Sequence, residues 1–137
     1  MRKALQEAEA AYRDGEIPIG AVIVCKDRII ARAHNLTEML RDVTAHAEMQ
    51  AITSAANMLG GKYLLDCTLY VTIEPCVMCA GAIGWAQVGR VVYGAADEKR
   101  GYSFFAPKGL HPKTEVRSGV LEPECKALMQ KFFNSKR

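Results

Sequence analysis

The sequence predicts an α/β fold, a central mixed sheet of about five strands with helices packed on both faces. Three observations lead there. Residues 19–35, IGAVIVCKDRIIARAHN, are two β-rich runs around a polar Lys26-Asp27-Arg28 turn, which reads as a hairpin. Beyond it, strand-like runs alternate with segments of helical period. No repeat, low-complexity segment or linker interrupts the chain, so residues 1–137 are expected to form a single domain.

The elements follow in order. Residues 2–15 carry Leu5, Ala8 and Tyr12 at helical spacing and stop at Asp14-Gly15. After the hairpin, residues 45–59 are helical, with Met49, Ile52, Ala56 and Leu59 as the apolar stripe. Thr44 is the expected N-cap, and Gly60-Gly61 ends that helix. CTLYVTI is the third strand, CVMCAGAIGWAQ a short helix opening just after Pro75, and GRVVYGA the fourth strand. Residues 97–113 mix Gly, Pro and aromatics without a period and read as a long loop or irregular helix. TEVRSGV is a candidate fifth strand. Leu121, Cys125, Leu128, Met129, Phe132 and Phe133 recur at helical spacing in the last element.

With 137 residues, half of them hydrophobic and 24% charged, the composition is that of an ordinary globular domain able to bury about two-thirds of its unfolded surface. Glu7 and Glu9 interrupt any signal-peptide pattern, and no apolar run reaches the roughly 18 residues of a membrane span. A cytoplasmic protein with no membrane partner is expected. Five cysteines without an export signal argue against a disulfide framework, and Cys25, Cys67 and Cys125, each among apolar neighbours, read as small core residues. Charge is uneven. Residues 1–98 hold nine Lys/Arg against twelve Asp/Glu, whereas residues 99–137 hold nine against three. A basic final third suits a polyanion such as RNA, although a solvated helix face and tail would look the same.

Cys76 and Cys79 need a separate account. A redox pair at a helix start would have a lowered thiol pKa, but nothing else in the chain matches a thioredoxin-like pattern. A structural zinc site would need a second closely spaced ligand pair, and there is none. A catalytic zinc needs three protein ligands and an open position, which two thiolates and one imidazole supply. His46 is the favoured third ligand, with His34 and His111 as rivals, because Glu48 lies two residues on. A carboxylate at an apolar helix start is costly to bury unless it has a partner or a task. Beside a metal but not bound to it, it can take a proton from water and pass it on. On a regular helix His46 and Glu48 would lie roughly 200° apart, so convergence on one site requires the helix start to depart from that period.

HAE at 46–48 and PCVMC at 75–79 together resemble the signature of the zinc deaminases of the cytidine-deaminase superfamily. EIPIGAVIV, AHN, TAHAE, TLYVTIEPCVMCAGAI and RVVYGAADEKRG closely resemble the bacterial tRNA adenosine deaminases, over residues 2 to about 101, with a weaker match in the last helix ending KFF. The resemblance implies a three-layer α/β/α cytidine-deaminase-like fold and one zinc on His46, Cys76 and Cys79, with Glu48 as the proton shuttle. It implies Asn35 on the purine edge, and Ile17 with the Ala47 and Pro75 backbone lining the base pocket. It further implies a homodimer that converts the wobble adenosine of a tRNA anticodon stem-loop to inosine. The chain departs from the family at three points: KRGYSFF stands where the family continues KAGAAGS or close to it, the following loop is shorter than in many members, and Val43 replaces a proline. The divergent loop after the fourth strand bears on substrate. Deamination of a free base or nucleoside (guanine, adenine or cytidine) is therefore the alternative. Tyr102, Phe104 and Phe105 in the divergent stretch either stack on unpaired anticodon bases or pack in the core.

Overall fold

The computed structural model describes residues 1–136. Helix α1 (Arg2–Arg13) leads into a hairpin of β1 (Gly20–Cys25) and β2 (Arg28–His34). Then come α2 (Ala47–Leu59), β3 (Cys67–Ile73), α3 (Val77–Ala86), β4 (Arg90–Ala95), the single turn α4 (Tyr102–Phe105), β5 (Glu115–Arg117) and α5 (Glu122–Ser135). The sheet has five strands in the order β2-β1-β3-β4-β5. Strand β1 is antiparallel to both β2 and β3, and β3, β4 and β5 are mutually parallel, so the sheet is mixed as expected.

The hairpin turn is tighter than the sequence suggests. Cys25 pairs with Arg28, leaving only Lys26 and Asp27 in the loop, and both have positive φ (51° and 62°). That is the backbone of a two-residue primed turn, whose twist matches the flanking strands.

Helix α1 packs on β1, β2 and β3 and touches α5, while α2 packs on β1, β2 and β3 and touches α3. The larger core lies under α2 and α3, where Ala47, Ala51, Ala55 and Ile83 meet Ala21, Ile23, Leu69, Val71 and Val91. Cys125 of α5 closes a smaller cluster with Ile73 and Ala95, flanked by Met1, Leu5 and Met129. Cys25, Cys67 and Cys125 are all buried free thiols, as their neighbours suggested.

Two apolar stripes sit elsewhere than the large residues suggest. The inner face of α1 is Ala4, Ala8 and Ala11; of the expected stripe Ala8 lies on it, while Leu5 and Tyr12 flank it against the smaller cluster and Phe132. Gly20 shows why: a Cβ there would run into the backbone of Ala4 and Ala8, so helix and strand touch main chain to main chain. The inner face of α2 is likewise Ala47, Glu48, Ala51 and Ala55, and Leu59 is exposed. Close packing selects small residues and pushes Met49, Ile52 and Ala56 to the flank.

The C-terminal third is sketchier than the sequence indicates. Strand β5 covers three exposed residues of the seven expected, at a sheet edge. In α5 only Cys125 and Phe132 are buried, and Phe133 faces outward.

Candidate active site

Strands β2, β3 and β4 all point the same way, so their C-terminal ends gather at one end of the sheet. Asn35, Glu74-Pro75-Cys76 and Asp97 emerge there, together with Ile17 on the entry to β1. The carboxyl end of such a sheet is where α/β proteins place ligands. Helices α2 and α3 also begin there, with His46 and Cys76 as their N-caps.

The N-cap position resolves the periodicity problem. Helix α2 starts at Ala47, and His46 is extended (φ −75°, ψ 154°), so its side chain is outside the 100°-per-residue rule that governs Glu48. Thr44, the expected cap, instead donates through its hydroxyl to Asp42 Oδ1 at 2.7 Å. The cap position moves because Asn35 does the capping from outside the helix: its Oδ1 accepts the Ala47 N–H at 2.9 Å. Cys76 repeats the arrangement at α3 (φ −74°, ψ 175°), with Cys79 one turn in.

His46 Nδ1 lies 3.7 Å from Cys76 Sγ and 3.5 Å from Cys79 Sγ, and the three ligand atoms all fall within 4.8 Å of one another. Ligands at zinc bond lengths and tetrahedral angles place sulfur about 3.6 Å from nitrogen. The donor set therefore fits zinc in chemistry and in spacing. Protonation points the same way. The Cys79 hydrogen bond, aided by His46 and opposed by burial, pulls the Cys76 thiol down to about 4. That same bond, with burial and the Glu48 charge, pushes Cys79 up, and the bond to Cys76 raises His46. The three groups share protons that a dication would displace.

Glu48 is 3% exposed, and burial pushes its carboxyl up to about 7, against backbone hydrogen bonding that lowers it. It sits in the first turn of α2, where the helix N-terminus favours negative charge. A buried carboxyl beside a set of three metal-ligand atoms is placed for repeated gain and loss of a proton.

The rival histidines lie elsewhere. His34 Nδ1 is 2.9 Å from Glu7 and its Nε2 3.6 Å from Asp14, tying β2 to α1, and His111 Nδ1 accepts the Lys113 N–H at 3.1 Å. Asn35 is buried, and since its oxygen faces the Ala47 N–H, its NH2 group is the end left to meet a ligand. Ile17 is 37% exposed at the same end of the sheet, Ala47 is fully buried, and the Pro75 carbonyl accepts the Tyr102 N–H at 2.9 Å.

Two carboxylates escaped the sequence reading. Glu16, 1% exposed, accepts the backbone N–H groups of Glu38 (3.0 Å) and Met39 (2.8 Å). Glu74 accepts from the backbone of Asp97 (3.1 Å) and from the backbone and hydroxyl of Ser103 (3.0 and 2.6 Å). A Cβ on Gly101 would fall on the Glu74 carboxylate and displace it from the Asp97 and Ser103 groups it accepts from. The signal was present: each is an acid inside an apolar run, GEIPIG and TIEPC, the same cost that singled out Glu48.

Comparison with known proteins agrees with this geometry. Residues 1–95 match the model of the cytidine and deoxycytidylate deaminase zinc-binding region. A tRNA-specific adenosine deaminase of Bacillus subtilis (strain 168) is 46% identical over all of this chain and 88% of its own length. This chain belongs to that deaminase family. A second relative of the same description, from Streptococcus pyogenes serotype M18, is 45% identical over the whole deaminase chain and 89% of its own. Among solved structures, one from work on A-to-I editing by tRNA deaminases at the wobble position superposes with a TM-score of 0.87 at 45% identity, covering 93% of this deaminase and 96% of that chain. A guanine deaminase from Bacillus subtilis gives 0.66 at 40% identity, covering 80% and 68%. Among the described residues of the deaminase, no helix is long and apolar enough to cross a membrane.

Proposed function

We propose that this deaminase converts the wobble adenosine of a tRNA anticodon stem-loop to inosine, with Glu48 as the catalytic acid–base. Water adds at C6 of the purine, the C6–amino bond breaks, and one of water's two protons goes to N1 while the other leaves with ammonia. Zinc held by His46, Cys76 and Cys79 would supply the Lewis acidity that makes water nucleophilic near neutral pH. Glu48, buried beside those ligands, takes the first proton and delivers it to N1, then carries the second, from the new C6 hydroxyl, to the departing amine. The Asn35 NH2 group holds the purine edge, while its oxygen keeps the start of α2 in place. Ile17 and the backbone at Ala47 and Pro75 wall the base pocket.

The observation that carries the chemistry is the buried Glu48 next to a ligand set of two sulfurs and one nitrogen. The choice of tRNA is supported by 45% to 46% identity to tRNA-specific adenosine deaminases along the whole chain, whereas a solved guanine deaminase that covers 94% of the chain is 25% identical and one that is 40% identical covers 80%. A tRNA substrate also suits a cytoplasmic enzyme. We read the working unit as a homodimer built on the α2–α3 face, where Met58, Leu59, Val77 and Trp85 are exposed, Trp85 to 85%. The experiment is deamination of an anticodon stem-loop carrying a wobble adenosine, run beside free guanine, adenine and cytidine. Inosine in the RNA is the expected product; an untouched stem-loop with a deaminated free base or nucleoside overturns the substrate assignment.

A further inference from the structure

We propose that Phe104 and Phe105 form a stacking step for an unpaired base next to the target nucleotide. This rests on an RNA substrate for the site described above. The divergent stretch splits cleanly in the structure: Tyr102 is buried and roots the turn, while Phe104 and Phe105 are 74% and 62% exposed. Their rings lie 5.6 Å apart and tilted by 54°, presenting two aromatic faces to solvent.

The step is held at the rim of the active site. Gly101 bridges to the zinc ligand Cys76, the Tyr102 N–H donates to the Pro75 carbonyl, and Glu74 binds Ser103. Phe104 lies only three residues from Gly101, about one turn away. The rings thus follow within about one turn of backbone anchored on Cys76 and Pro75.

Charge selects the partner. Residues 99–114 contain Lys99, Arg100, Lys108 and Lys113 and no acid, so the aromatic faces sit in a basic segment suited to a phosphate backbone. Just before them stand Asp97, whose Oδ1 accepts the backbone N–H groups of Lys99 and Arg100 at 3.0 Å, and the exposed Glu98, so residues 97–114 still carry four cations against two acids. Rigid aromatics interleaved with cations are the recurring platform for single-stranded bases.

The test uses the zinc-loaded enzyme and the stem-loop, intact or with an abasic residue on either side of the wobble adenosine. Phe104→Ala and Phe105→Ala are made singly and together, with Phe→Tyr at each position as the conservative control. The double alanine variant is expected to lose about 5- to 150-fold in kcat/KM on intact RNA, mainly through KM, with tyrosine restoring it. Wild-type enzyme on one of the two abasic RNAs is expected to show the same loss, with no further loss in the variant. Equal editing by variant and wild type overturns the step, as does a variant loss that persists undiminished on both abasic RNAs. A loss that tracks dissociation of the protein in sedimentation also overturns it and assigns the rings to a protein contact. In each of these outcomes wild type still edits the stem-loop; a wild type inert on RNA fails the underlying substrate reading and the step with it.

Discussion

Replacing Glu48 by Gln should reshape how the zinc-free protein depends on pH. Burial lifts the Glu48 carboxyl from 4.5 to about 7, so the folded protein holds a proton there that the unfolded chain has already released. Between those two values the native state binds more protons, and stability falls as pH rises. The full difference corresponds to about 3 kcal/mol at 1.36 kcal/mol per tenfold change in proton affinity. From about pH 5 to about pH 8.5 the wild-type protein should lose roughly 2 to 3 kcal/mol relative to Glu48→Gln, because part of the difference is already spent at pH 5. Urea unfolding of both proteins in chelator, across that range, measures it. Groups away from the site are common to the two chains and cancel, whereas His46 and Cys79 lose the upward push of the Glu48 charge in the variant. Parallel stability curves would refute the idea that the carboxyl is held protonated by burial; curves that diverge in the opposite sense would show it ionised and paired.

Other outcomes follow from the same geometry. Zinc-loaded Glu48→Gln should keep about one metal per chain by elemental analysis while turnover falls by about 10²- to 10⁴-fold. Cys79→Ser should lose the metal, whereas His111→Ala, whose ring only accepts the Lys113 N–H, should retain it and its activity. Asn35→Ala leaves the buried Ala47 N–H without its acceptor, and urea unfolding should show a cost of about 1 to 3 kcal/mol. Trp85→Glu should convert a dimer to monomers in sedimentation, since a charge on the proposed contact face has no partner there.

How much of this was legible in the sequence depended on whether the physics was local. The hairpin, the strand–helix alternation and the HAE and PCVMC motifs are short-range patterns, and the structure reproduces their order and brings His46, Cys76 and Cys79 together. What the sequence hid was decided by contacts distant in the chain. Thr44 looked like a cap because capping is normally local, yet Asn35 supplies the acceptor from the end of β2. The stripe on α2 looked like Met49-Ile52-Ala56-Leu59 because large residues usually face inward. Here the face of α2 turned to the sheet is instead Ala47, Glu48, Ala51 and Ala55. Tyr102 and its neighbours Phe104 and Phe105 are chemically alike, and only the fold separates the buried ring from the two exposed ones.

Glu16 and Glu74 have a consequence for how such a protein changes over generations. Each grips its loop mainly by main-chain amides, at Glu38 and Met39 on one flank of the site and at Asp97 and Ser103 on the other. An amide is the same whatever side chain it carries. The two carboxylates therefore set where the loops begin without caring what they display, and residues such as Met39, Leu40, Val43, Phe104 and Phe105 can be exchanged while the stems stay put. New substrates can then be auditioned at the rim with the reaction centre left alone.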